Sequence, residues 1–139
     1  VVGERLASDR GENLDPYFAV APNLRRLGYR EDVAAILAAS DIFVLPSYFE
    51  ALPMSVIEAM LTGLPVAPTN VRGPREQIPD GQTGLLVPLF DIPALTHALQ
   101  TLVADPALRA KLGEAGRARA LDHYEEARVV AQTLDLLGL

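Results

Sequence analysis

Two carboxylates, Glu50 and Glu58, stand with seven residues between them inside the run Asp41–Pro68, DIFVLPSYFEALPMSVIEAMLTGLPVAP. Ionised carboxylates accept hydrogen bonds at both oxygens. Between them Pro53 marks a place for a helix to begin, because the first helical N–H has no partner to lose. Amides at such a helix start, together with the positive end of the helix dipole, favour a phosphate. The chemistry suggested is the binding of a phosphorylated ligand. Each acid taken alone is equally a solvated surface carboxylate.

The elements around the acids give that reading a geometry. Asp41-Ile42-Phe43-Val44-Leu45 is a short unbroken apolar run, expected to form a strand covered on both faces of a parallel sheet. Pro46 and Ser47 stop it, and a helix is expected from about Pro53 to Gly63-Leu64-Pro65, with Val66-Ala67 opening the next strand. On a helical wheel Met54, Val56, Ile57, Met60 and Leu61 share one arc, while Ser55, Glu58 and Thr62 share another. Glu58 is therefore expected outside the core stripe, and Glu50 in the loop that leaves a strand end. In parallel sheets ligands bind in the crevice at the carboxyl ends of the strands.

The remaining chain reads as alternating elements. Asp15-Pro16 opens a short helix through Val20, Leu24 to Leu27 is a candidate strand, and Gly28-Tyr29-Arg30 a strand-end turn. Val1-Val2-Gly3 reads as a strand tail, and Asp32 as the cap of a helix through Ala39 with Val33, Ile36 and Leu37 on its buried side. Thr69 to Pro74 reads as a loop, Glu76-Gln77-Ile78 as one helical turn, and Leu85-Leu86-Val87 as a strand. Helices are expected from Ile92 to about Ala104 behind Asp91, from Asp105-Pro106 to about Leu121, and from Tyr124 to Leu137. Strands alternating with helices predict an α/β fold, a Rossmann-like doubly wound parallel sheet.

Composition narrows the classes. The chain has 139 residues, half of them hydrophobic and few aromatic, enough for one domain with an aliphatic core. A net charge of -6 argues against a nucleic-acid surface. No run approaches the roughly 20 apolar residues of a membrane span, and none has the pattern of a signal peptide. With no cysteine and two isolated histidines, His97 and His123, no metal site or thiolate chemistry is expected. The start at Val1 without an initiator methionine reads as that of a piece cut from something longer.

In order along the chain stand Leu27-Gly28-Tyr29-Arg30, Ala39-Ser40-Asp41-Ile42-Phe43-Val44-Leu45-Pro46-Ser47, Phe49-Glu50-Ala51-Leu52-Pro53-Met54, Glu58-Ala59-Met60, Gly63-Leu64-Pro65-Val66, Arg72-Gly73-Pro74-Arg75-Glu76 and Asp80-Gly81-Gln82-Thr83-Gly84-Leu85-Leu86-Val87-Pro88. From residue 24 to about 120 this ordered set resembles the C-terminal, donor-binding half of group 1 retaining glycosyltransferases of the GT-B architecture. An E-x7-E pair alone is weak; the set in register is specific. Two departures are visible: Ala51 where the family often has glycine, and Arg72-Gly73 where it has a glycine pair.

The resemblance implies a single partial nucleotide-sugar-binding domain over residues 1–139, a truncated GT-B domain lacking its first strand. It implies that Glu50 lies beside the donor sugar and aids the transition state electrostatically, since an oxocarbenium-like centre favours a nearby negative charge. Glu58 would hold the ribose hydroxyls, backbone N–H groups from Ala51 through Leu52 and Pro53 to Met54 would line the sugar and phosphates (Pro53 itself having no N–H), and Tyr29 and Arg30 would lie near the base. The implied function is transfer of a sugar from a UDP- or GDP-sugar to a glycan or lipid-linked acceptor, without metal or cofactor, the acceptor being met through an N-terminal domain that precedes Val1. The implied location is the cytoplasm, peripheral at the inner face of the membrane. Without its first strand the chain would pair with a partner segment, exchange strands in a dimer, or close up. Rival readings are a non-catalytic nucleotide-sugar-binding module, a sugar-nucleotide epimerase or glycogen synthase-like enzyme, and a structural α/β domain.

Overall fold

A computed structural model describes Val2 and residues 15–138, so the expected strand tail at Val1 and Gly3 lies outside the described residues. Contacts divide the chain into two compact units, Val1–Val33 and Ala34–Leu139.

In the first unit, α1 (Asp15–Val20) begins at Asp15-Pro16 as expected. Residues 24–27, however, form no strand. Leu24 and Leu27 are exposed, and the guanidinium of Arg26 lies over the Phe18 ring at 5.1 Å from its centroid. Two arginines in a four-residue segment leave too little apolar surface to hold a ladder against a neighbour. Gly28 turns the chain with φ 65, a conformation glycine adopts freely. The first helix after this turn, α2 (Val33–Ala38), starts one residue past Asp32. Asp32 was expected to cap it, but its two oxygens take Nε and Nη2 of Arg30 at 2.7 and 2.6 Å.

The second unit is built on parallel strands β1 (Phe43–Leu45) and β2 (Val66–Pro68), in the register Phe43↔Val66, Val44↔Ala67, Leu45↔Pro68. β1 is shorter than the apolar run, and its three side chains are half-buried rather than fully covered. The segment 84–87 runs parallel along the other edge of β2. There Leu85 N–H donates to the Val66 carbonyl and Val87 N–H to that of Pro68, each at 3.0 Å. It was expected to be a regular strand, but it pairs only through isolated bridges at Gly84 and Val87. Pro68 faces this segment and has no N–H to return a bond, which breaks the ladder.

Between the strands, α3 (Met54–Thr62) covers the sheet with Val56, Ile57, Ala59 and Met60. Met54 and Leu61 were expected in this stripe but are 58% and 37% exposed. The buried arc centres on Val56 and Met60 and extends to Ala59 on the other side, leaving Met54 and Leu61 at its border. Gly63 closes α3 in a left-handed cap with φ 82, its N–H reaching the carbonyls of Ala59 and Met60. After β2 comes α4 (Arg72–Gln77), which replaces the expected loop and single turn.

Helices α5 (Ile92–Ala104) and α6 (Pro106–Tyr124) start where the sequence places them, with Asp91 accepting from Ala94 N and Asp105 from Leu108 N. They enclose a core of Ala67, Leu102 and Leu112, with Ile42, Leu85 and Leu108 against it. The last helix, α7 (Glu126–Leu137), begins two residues later than expected and buries none of its residues. No described helix is long and apolar enough to cross a membrane.

α6 lies against the carboxyl end of α3 because Gly113 has no side chain: a Cβ there would run into the backbone carbonyl of Gly63. Arg117 then donates to the Leu61 carbonyl at 3.0 Å, and Arg119 to those of Gln77 and Glu76 at 2.8 and 3.1 Å. Gly113→Ala is expected to cost about 1–3 kcal/mol, the usual range for overpacking. Denaturant unfolding checks this; a midpoint equal to that of the parent would show that the two helices separate freely.

Candidate functional site

The loop from Pro46 to Pro53 leaves the carboxyl end of β1 and is held from below at three points. The Thr69 hydroxyl lies 2.5 Å from the Ser47 carbonyl and 3.3 Å from that of Leu45. Gly73 N–H donates to the Glu50 carbonyl at 3.1 Å. The fully buried Gln77 donates its side-chain amide to the Pro53 carbonyl at 3.3 Å. Gly73 is needed for the second contact, since a Cβ there would lie 2.5 Å from the Ala51 carbonyl oxygen and 2.9 Å from Pro53 Cδ.

On this frame Glu50 is half-buried in the loop and Glu58 is exposed on α3. Glu58 follows Met54 by four residues, about 6 Å along the axis. Among the described residues neither carboxylate has a hydrogen-bond or ion-pair partner. Pro53 is the N-cap of α3, with φ -68 and no side-chain cap. The first amides of the helix, at Met54 and Ser55, have no intrahelical acceptor and are open to a ligand. Ala51, Leu52 and Met54 are exposed while Pro53 is buried. Two unpartnered acids thus flank a helix start with free donors, an arrangement able to hold hydroxyls on either side of a phosphate.

Tyr29 and Arg30 belong to the first unit. Tyr29 is exposed, and Arg30 is committed to Asp32. That guanidinium hydrogen bond lowers the pKa of Asp32 below the usual carboxylate value, and the pair in turn raises that of Arg30. Arg75 is held by Asn70, while Arg72 is exposed and 3.9 Å from Glu76. Among the described residues no group of three His, Asp or Glu is placed to hold a metal ion. A cleft of about 340 Å³ lies between segment 84–87 and α5, lined by Asp80, Leu86 and His97 among others, and neither acid lines it.

Sequence reasoning missed the supports. Gln77 reads as a surface residue, and nothing local marks it as buried. Gly73 was noticed only as half of a glycine pair; its tight contact with residues 51–53 is a tertiary fact.

The family profile described as Glycosyl transferases group 1 matches residues 2–119. The chain belongs to the group 1 glycosyltransferases. This glycosyltransferase chain is 30% identical over 138 residues to the lipopolysaccharide core biosynthesis glycosyltransferase LpsE of Rhizobium meliloti, spanning 99% of the chain and 41% of that relative. It is 36% identical over 109 residues to an Escherichia coli UDP-Gal:alpha-D-GlcNAc-diphosphoundecaprenol alpha-1,3-galactosyltransferase, covering 78% of the chain and 28% of that protein. Among solved structures, sucrose-phosphate synthase from Thermosynechococcus elongatus superposes with a TM-score of 0.81 at 32% identity, over 89% of this chain and 31% of the other. Anabaena Alr3699/HepE in complex with UDP gives 0.79 at 25% identity, over 82% and 32%. The chain therefore spans less than half the length of these relatives. Their shared α/β architecture is the GT-B fold, with the parallel sheet and helices described above.

Proposed function

We propose that residues 1–139 are a partial nucleotide-sugar-binding domain, the donor half of a retaining glycosyltransferase that moves a sugar from a UDP- or GDP-sugar to a glycan or lipid-linked acceptor. The observation that carries the reading is the pair of unpartnered acids flanking the uncapped start of α3. The diphosphate would meet the Met54 and Ser55 amides, and Glu58 the ribose hydroxyls. Glu50 would face the sugar. In transfer, the bond from the anomeric carbon to the diphosphate oxygen breaks with its electron pair on the diphosphate. The acceptor oxygen then bonds that carbon and passes its proton to the departing diphosphate oxygen. Glu50 stabilises positive charge on the ring while this happens. UDP is the nucleotide favoured, because HepE at 25% identity is described with UDP bound.

Isothermal titration of the intact protein with UDP and GDP tests the donor role. Glu58→Ala is expected to weaken the preferred nucleotide about tenfold to a hundredfold, the equivalent of one lost charge-assisted hydrogen bond. Equal affinity in parent and variant would remove Glu58 from the ribose. Binding without turnover would leave the alternative of a non-catalytic nucleotide-sugar module.

A further inference from the structure

β1 and segment 84–87 flank β2 and run parallel to it, so Leu45 and Val87 end at the same edge of the sheet. Three residues beyond each end stands an aromatic ring. Tyr48 and Phe90 meet there with centroids 5.1 Å apart and planes tilted by 53°. Both remain open to solvent, Tyr48 71% and Phe90 75% exposed. Tyr48 lies two residues before Glu50 in the same pinned loop.

Beyond its contact with Tyr48, a side chain three-quarters exposed gives Phe90 little structural reason to be phenylalanine. It occupies the turn closed by Asp91 N–H on the Pro88 carbonyl, and it is the one described non-glycine residue with positive φ, at 62. Glycine takes that conformation freely, whereas a bulky side chain strains it. A ring three-quarters exposed gains little from burial in return. Strain held at an exposed residue beside a functional loop points to a ligand.

The neighbourhood selects the chemistry. The amides suited to a diphosphate follow Glu50 in the loop, at Met54 and Ser55, and Tyr48 precedes it. Along the loop, Tyr48, Glu50 and the phosphate donors run in the order acceptor, transferred sugar and nucleotide, and Phe90 meets Tyr48 from the end of segment 84–87. Aromatic faces pack against the C–H face of a pyranose and leave its hydroxyls to Glu50 and water. Glu50 and Asp91 border the patch with negative charge, which disfavours anionic lipid headgroups and is indifferent to a neutral sugar.

We propose that Tyr48 and Phe90 form the stacking platform for the sugar ring of the acceptor and so help to set which acceptor is taken. The inference rests on the transfer reading above. Saturation-transfer NMR tests it on the intact protein, with methyl glycosides of glucose, galactose, mannose and N-acetylglucosamine as probes and irradiation of the aromatic protons. Transfer to the ring C–H protons of at least one glycoside is expected. Binding of that glycoside weakens about threefold to tenfold in Phe90→Gly and in Tyr48→Ala, the range of a lost aromatic contact. The melting temperature of Phe90→Gly stays equal or rises, because glycine relieves the backbone. No transfer to any of the four glycosides, or undiminished binding in Phe90→Gly, overturns the platform. So does sedimentation of the protein with phosphatidylglycerol vesicles that depends on Phe90. UDP affinity, titrated separately, is expected to match the parent in both variants; a parent without UDP affinity would sink the donor reading and leave the glycoside result standing.

Discussion

Glu50→Ala in the intact protein is expected to lower kcat for sugar transfer by about 10²–10³, with UDP affinity nearly unchanged. The size follows from the role proposed. Removing one preorganised electrostatic group aimed at developing charge typically costs about 2.7–4 kcal/mol of transition-state stabilisation, which is that many decades of rate. The group is preorganised here: the Glu50 carbonyl is pinned by Gly73 N–H at 3.1 Å, and the side chain is half-buried. Its carboxylate has no partner among the described residues, so no internal cation competes with a substrate. Glu50→Gln separates charge from shape, since the amide keeps the size and one acceptor oxygen but not the negative charge. Steady-state kinetics with a UDP-sugar donor, beside calorimetric titration of UDP, supply both readouts. A glutamine variant as fast as the parent would mean that Glu50 only holds hydroxyls, and an alanine variant as fast would remove it from the reaction.

The second large effect is expected at a residue that touches no substrate. Gly73→Ala should reduce kcat about a hundredfold while costing about 1–3 kcal/mol of stability. The new Cβ would lie 2.5 Å from the Ala51 carbonyl oxygen, 2.8 Å from its carbon and 2.9 Å from Pro53 Cδ. None of these atoms is the tip of a flexible side chain, so α4 or the acid loop must move. Either movement breaks the Gly73 N–H bond to Glu50 and displaces the carboxylate, and misplacement by about 1 Å is enough for a loss of that order. Gly81→Ala is the control. Gly81 has φ +70 and nothing within 4 Å of a built Cβ, so its substitution strains a turn without moving the site. Gly81→Ala should lose some stability and keep its rate. If Gly73→Ala behaved the same way, the loop would not be positioned by that contact.

These two cases mark what the sequence could and could not disclose. The β1–α3–β2 path was legible because its signals are local: an apolar run, a proline at a helix start, a glycine at its end. The starts of α5 and α6 were legible for the same reason, each an aspartate followed within two residues by proline. The strand expected at residues 24–27 and the regular strand at 85–87 failed on partners, which a local reading does not contain. Among the described residues no neighbour takes the first into a ladder, and Pro68 interrupts that of the second. Arg72-Gly73-Pro74 reads as the end of a loop, yet it is the first turn of α4, where proline loses nothing and glycine permits close approach. Glu50 and Glu58 stood out by type and spacing. Thr69, Gly73 and Gln77, which fix the loop, did not, since their roles exist only once distant segments meet. Met54 and Leu61 were misjudged because a wheel gives an arc but not its centre.

Arg117 and Arg119 sit on one helix but close the carboxyl ends of two others, α3 and α4. Their acceptors are carbonyls rather than carboxylates, so salt that dissolves surface ion pairs leaves this clasp largely intact. Loosening α6 frees together the helix that bears Glu58 and the helix that braces Glu50, while the strands beneath keep their pairing. On gradual heating, therefore, loss of the proposed turnover in the intact protein should run several degrees ahead of loss of secondary structure.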